Sequence, residues 1–135
     1  MAVLLDTSVA SLLHPAKRLL PLRRQYEPYI QGQLLAVSFQ TVAELFHWAE
    51  SRNWGPTQIG RLNQMLGELV VVPYDTPLAM AWAKTMLQAS RQGNRLEAGD
   101  GWIAATAVHM QLPLLTLDRD FARLHIPGLQ VICYA

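Results

Sequence analysis

The chain has 135 residues, 51% of them hydrophobic and 16% charged, and a net charge of +1. That length suits one domain with one sizeable core, so residues 1–135 are read as a single domain. No apolar run approaches the roughly 18 residues of a membrane span, the N-terminus lacks a basic-then-apolar signal pattern, and the single cysteine, Cys133, excludes an internal disulfide and a thiolate zinc site.

One cysteine also fits a reducing cytoplasm. The charged fraction lies below the roughly 25% usual in soluble domains. Apolar surface is then left over, and an oligomer or a bound partner is expected to cover it.

In chain order, Ala2-Val3-Leu4-Leu5 predicts a first strand over 2–5, and Asp6 ends it. Asp6-Thr7-Ser8 leads into a helix near 8–13, and any of the three can cap it. Lys17, Arg18, Arg23 and Arg24 follow as a basic cluster with no acid between Asp6 and Glu27. A helix near 22–31 and a strand over 34–38 come next. The following helix, near 40–52, contains Thr41-Val42-Ala43-Glu44, which has capping-box spacing and gives Glu44 a structural alternative.

Pro56-Thr57 opens a helix near 57–67 after Trp54-Gly55, and 69–73 reads as a strand. Asp75-Thr76-Pro77 starts a helix near 77–92 that Gly93-Asn94 closes. In the helix near 99–110, Asp100 shares a face with Ile103, Ala104 and Ala107, at the end of a stripe that packs closely. A helix dipole also favours an acid in that first turn. Asp118 ends the strand over 113–117, with Asp120 its rival as a ligand. Pro127-Gly128 turns the chain into a last strand over 129–134. Trp82 and Trp102 lie in helical patterns and read as core or interface, which leaves Trp54, in a loop, as the tryptophan placed to stack on a base.

Unbroken apolar strands separated by helices imply an α/β fold with a parallel sheet covered on both faces. Such sheets gather ligands beyond the carboxyl ends of their strands. Asp6, Glu44, Asp100 and Asp118 converging there would repel one another unless a cation held them. Oxygen ligands without His or Cys suit hard ions, so Mg²⁺ or Mn²⁺ is expected. Without these four, six acids face eleven Lys and Arg. An acidic pocket on a basic body suits an enzyme acting on a polyanion.

Leu4-Leu5-Asp6-Thr7-Ser8-Val9 and Ala36-Val37-Ser38 through Thr41-Val42-Ala43-Glu44-Leu45 resemble the first two motifs of the PIN-domain family. Asp100-Gly101-Trp102-Ile103-Ala104-Ala105-Thr106-Ala107 resembles the third. Leu115-Thr116-Leu117-Asp118-Arg119-Asp120-Phe121 and Ile126-Pro127-Gly128-Leu129-Gln130-Val131 resemble the fourth and the closing strand. The ordered set covers nearly the whole chain and is most similar to VapC toxins of toxin–antitoxin pairs.

The resemblance implies a three-layer α/β/α sandwich and a Mg²⁺- or Mn²⁺-dependent endoribonuclease that leaves a 5′-phosphate and a 3′-hydroxyl. RNA is the implied substrate, a small antitoxin and a second copy of the chain the implied partners. Asp6, Glu44, Asp100 and Asp118 carry over as the catalytic, metal-holding acids, with Thr7 or Ser8 and Thr116 as hydroxyl supports. Glu97 is an additional acid one turn before Asp100. Glycines on both sides of Asp100 are a departure expected to loosen that helix start, and many relatives have asparagine at the position of Asp118. An inactive binding module of this fold and an RNA-processing nuclease that is not a toxin are the alternatives. An Asp-nucleophile phosphatase is set aside because Ser8 stands where that class needs a second aspartate.

Overall fold

The computed structural model describes residues 1–14 and 20–134. Five parallel strands form one sheet: β1 (Ala2–Leu5), β2 (Leu34–Ser38), β3 (Val70–Val72), β4 (Leu114–Thr116) and β5 (Val131–Cys133), in the order β3-β2-β1-β4-β5. Helices α1 (Thr7–Ala10, continued by a 3₁₀ turn over Ser11–Leu13), α2 (Pro21–Ile30), α3 (Phe39–Ser51), α4 (Pro56–Gly67), α5 (Thr76–Arg91), α6 (Ala98–Met110) and α7 (Arg119–Ala122) connect them.

The pleat sorts the strand residues into two cores. Leu4, Ala36 and Leu114 point to one face and pack with Ile103, Ala104 and Ala107 of α6 and Phe121 of α7. Val3, Leu5, Val37 and Leu115 point to the other and pack with Val9 and Ala10 of α1 and Tyr26 and Ile30 of α2. Helices on both faces of a parallel sheet are the expected three-layer α/β/α sandwich. A satellite cluster of Leu45, Ala49 and Leu62 joins α3 to α4, and Trp54 packs against it half-buried, so this tryptophan is not a free stacking platform.

Strands β3, β4 and β5 are shorter than the apolar runs suggest, because the flanking residues leave the ladder for loops. Helix α7 is too short to show a helical period, and the sequence pattern gave no sign of it. Of the basic cluster, Lys17 and Arg18 lie outside the described residues. Arg23 pairs with Glu27 on the next turn of α2 at 3.3 Å, so it is not a free phosphate ligand.

Tyr26 ties the far end of the chain to the sheet. Its fully buried hydroxyl donates to the Thr116 carbonyl at 2.6 Å and accepts from the Tyr134 N–H at 2.9 Å. Tyr26→Phe leaves both main-chain groups without this partner. The expected cost is about 2 kcal/mol, read as a lower urea midpoint with an unchanged slope.

Candidate active site

Strand β1 lies between β2 and β4, so the chain winds outward in both directions from the β1/β4 pair. The crevice beyond such a reversal of strand order is where open α/β sheets bind ligands. Asp6 follows β1 and Asp118 follows β4, so two of the predicted acids stand on either side of that crevice. Glu44 reaches it from the second turn of α3 and Asp100 from the first turn of α6.

Asp6 is only 6% exposed. One carboxylate oxygen caps α1 by accepting from the Ser8 N–H at 2.7 Å, and the other accepts from the Thr116 hydroxyl. Capping and a place in the acidic cluster are therefore both true of Asp6. Burial pushes its pKa up, against the pull of these hydrogen bonds, and the charge of Asp118 pushes the same way.

Thr116 also accepts from the Asp118 N–H at 2.9 Å, so one hydroxyl fixes two of the acids relative to each other. Ser8 does similar work, its hydroxyl accepting from the Leu117 N–H at 3.1 Å. Asp118 itself caps α7 by accepting from the Asp120 N–H at 2.9 Å.

The N-cap of α3 is Ser38, which accepts from the Gln40 N–H at 3.1 Å. Thr41 is inside the helix, so the capping-box alternative for Glu44 does not hold. Instead, Glu44 accepts from the Thr7 hydroxyl, which also hydrogen-bonds the buried Thr41 hydroxyl at 3.0 Å. Gln40 donates to the other Glu44 oxygen at 3.4 Å. Sequence reasoning missed Gln40 and read Thr41 only as a cap. A polar residue inside an amphipathic helix, one turn before a candidate ligand, was the available signal.

Asp100 shows that the acids share one field. Burial and then the charges of Asp118, Asp6, Glu44 and Glu97 push its pKa up to about 6. Asp120 is not among these charges; it is exposed and pairs with Arg123 at 3.5 Å. The charge that acts on Asp100 is thus that of Asp118 and not of Asp120. The glycines flanking Asp100 do not loosen α6, which runs unbroken from Ala98 to Met110. A Cβ at Gly101 would lie 2.3 Å from Met86 Sδ and 2.9 Å from Trp82 Nε1, so close packing against α5 excludes a side chain there.

The ion pairs found among the described residues, Arg23–Glu27 and Arg123–Asp120, involve none of the four acids. Their oxygens and mutual repulsion fit a hard divalent cation. Among the described residues no three acidic, histidine or cysteine side chains already converge as a finished ligand shell. The hydroxyls of Thr116 and Thr7 occupy one oxygen each of Asp6 and Glu44, bonds that an ion would share or displace.

The four acids thus surround the crevice at the carboxyl edge of a parallel α/β sandwich. The family model for the PIN domain matches residues 3–126, and the chain belongs to the PIN-domain family. It is similar to VapC ribonuclease Y4jK of Sinorhizobium fredii, at 31% identity over 139 residues that cover 96% of this chain and 95% of that one. A 61-residue stretch is 34% identical to Ribonuclease VapC5 of Mycobacterium tuberculosis and spans 45% of each chain. The crystal structure of VapBC-5 from Mycobacterium tuberculosis, a member of the VapBC family of toxin–antitoxin systems, is similar with a TM-score of 0.72, at 28% identity over 98% of both chains.

Proposed function

We propose that this chain is a divalent-metal-dependent endoribonuclease and the toxin of a toxin–antitoxin pair. The observation that carries the reading is the gathering of Asp6, Glu44, Asp100 and Asp118 around one crevice, with none of them in the ion pairs found among the described residues. Carboxylates that repel one another in this way suit a cation held between them. The full-length likeness to a VapC ribonuclease points to RNA as the substrate.

Asp6 and Asp100 would be the principal ligands of Mg²⁺ or Mn²⁺, with Glu44 and Asp118 as further ligands or water-orienting groups. Bound there, the ion supplies Lewis acidity and neutralises charge developing on the phosphodiester. The chain's own groups do the rest. Glu44 or Asp118 takes the proton of the attacking water. Thr116 and Thr7 hold the Asp6 and Glu44 carboxylates in place.

A groove of about 300 Å³ between the first helical segment, α3 and α4 supports a protein partner. Leu45, Trp48, Trp54, Leu62 and Met65 line it, with Arg52 and Arg61 beside them. An amphipathic antitoxin helix would lay its apolar face there. Exposed Val70 and Val71 on edge strand β3, with Met80 and Leu87 on α5, leave apolar surface for a second copy of the chain.

The test is cleavage of a structured RNA mixture by purified protein in Mg²⁺, Mn²⁺ or EDTA, beside Asp6→Asn. Cleavage is expected with either ion, and EDTA or the substitution is expected to remove it. Equal cutting in EDTA, or by a folded Asp6→Asn protein, would overturn the metal-centre reading.

A further inference from the structure

We propose that Gln40 is a positioning residue for Glu44, and that position 99 is glycine to leave room for it. The functional consequence rests on the nuclease reading above; the contact itself does not. Gln40 stands one turn before Glu44 on α3 and donates to Glu44 Oε1 at 3.4 Å, while Thr7 donates to Oε2. Both carboxylate oxygens are thereby oriented, and both donors are neutral. A lysine or arginine at position 40 would fix the carboxylate equally well but neutralise the charge that a cation needs. A neutral amide orients Glu44 and leaves its charge in place.

Gly99 supplies the second, independent observation. It lies within α6, and its backbone is not among those with positive φ, so its conformation does not call for glycine. Clearance does. A Cβ at this position would lie 2.8 Å from Gln40 Nε2, closer than real contacts allow, and at a tolerable 3.4 Å from Glu44 Oε1. Alanine also favours a helix more than glycine does. Gly99→Ala therefore folds, and the part that gives way is the flexible end of Gln40, not the helix and not Glu44. The two helix starts that carry Glu44 and Asp100 meet through this amide.

Two readouts test the proposal. In EDTA, the side-chain NH₂ resonances of Gln40 in the ¹H–¹⁵N spectrum are expected to move in Glu44→Ala and in Gly99→Ala, by similar amounts. Resonances unchanged in Glu44→Ala would show that the contact is absent and overturn the proposal. Mn²⁺ affinity and RNA cleavage are then compared in Gln40→Ala, Gly99→Ala and the double variant. Each single change is expected to weaken Mn²⁺ binding roughly 10-fold, as loss of a ligand's hydrogen-bond partner does. The double variant is expected to be no worse than the weaker single, because both act through one side chain. Penalties that multiply would mean that Gly99→Ala acts on Glu44 or on the fold directly, and would overturn the role given to position 99. A parent protein that neither binds Mn²⁺ nor cuts RNA defeats the nuclease reading, while the spectrum still decides the Gln40 contact.

Discussion

Asp100→Asn is expected to cut RNA at least ~100-fold more slowly than the parent, beyond the loss typical of a ligand's supporting partner, and yet to melt at a higher temperature in EDTA. The two effects have one cause. Asp100 sits half-buried among Asp118, Asp6, Glu44 and Glu97, and its pKa is pushed up to about 6. The folded protein thus holds that proton more tightly than the unfolded chain does. Its contribution to stability is fully present below the unfolded value near 3.8 and is lost as pH rises through about 6. Metal-free parent protein is expected to lose stability across pH 4–7, and the asparagine variant to lose less. A bound cation replaces the proton, so the parent's Mg²⁺ or Mn²⁺ affinity falls as pH drops below about 6. Calorimetry in EDTA at three pH values, with and without the substitution, measures this. An Asp100→Asn protein that melts below the parent at pH 7.5 would mean that the carboxylate stabilises the fold rather than serving a cation.

Gly101→Val is expected to cost about 3 kcal/mol of folding stability, the upper part of the range for overpacked sites. Met86 Sδ, 2.3 Å from the position of a Cβ, can swing away, but Trp82 Nε1 at 2.9 Å cannot do so cheaply. Trp82 donates to the Ala98 carbonyl at 3.2 Å and stacks on Trp102 with ring centroids 5.2 Å apart, so its ring is held from two sides. The better helix propensity of valine offsets only a few tenths of a kcal/mol. Urea unfolding reads the loss as a lower midpoint. A cost under 1 kcal/mol would show that α5 yields here, and that the glycine serves something other than packing.

The acids that follow β1 and β4 were the most legible part of this protein. Leu5-Asp6 and Leu117-Asp118 each mark an apolar run stopping at an acid, and a parallel sheet makes its carboxyl edge the place for chemistry. Asp100 was readable because its helix face is otherwise apolar and small. Glu44 was ambiguous for a physical reason: the spacing Thr41 to Glu44 is the same in a capping box and in the middle of a helix. Only the position of Ser38 as the true cap separates the two. The roles of Thr41 and Gly99 were illegible, since one depends on Thr7, 34 residues away, and the other on clearance between two helices, whereas Gln40 stands at helical spacing from Glu44 and was open to reading. Short elements such as α7 hold through Phe121 in the core, which no local period records.

The hydrogen bond between Thr116 and Asp6 spans 110 positions, and β4 enters the middle of the sheet after most of the chain has been made. Contacts so distant in sequence are slow to form, and during synthesis central β1 waits for its neighbour β4 to leave the ribosome. Until residues 114–118 emerge, Asp6 lacks Thr116 and the crevice lacks its opposite wall. A chain lacking residues 114–118 therefore lacks one wall of the crevice and the hydroxyl that orders Asp6 and Asp118.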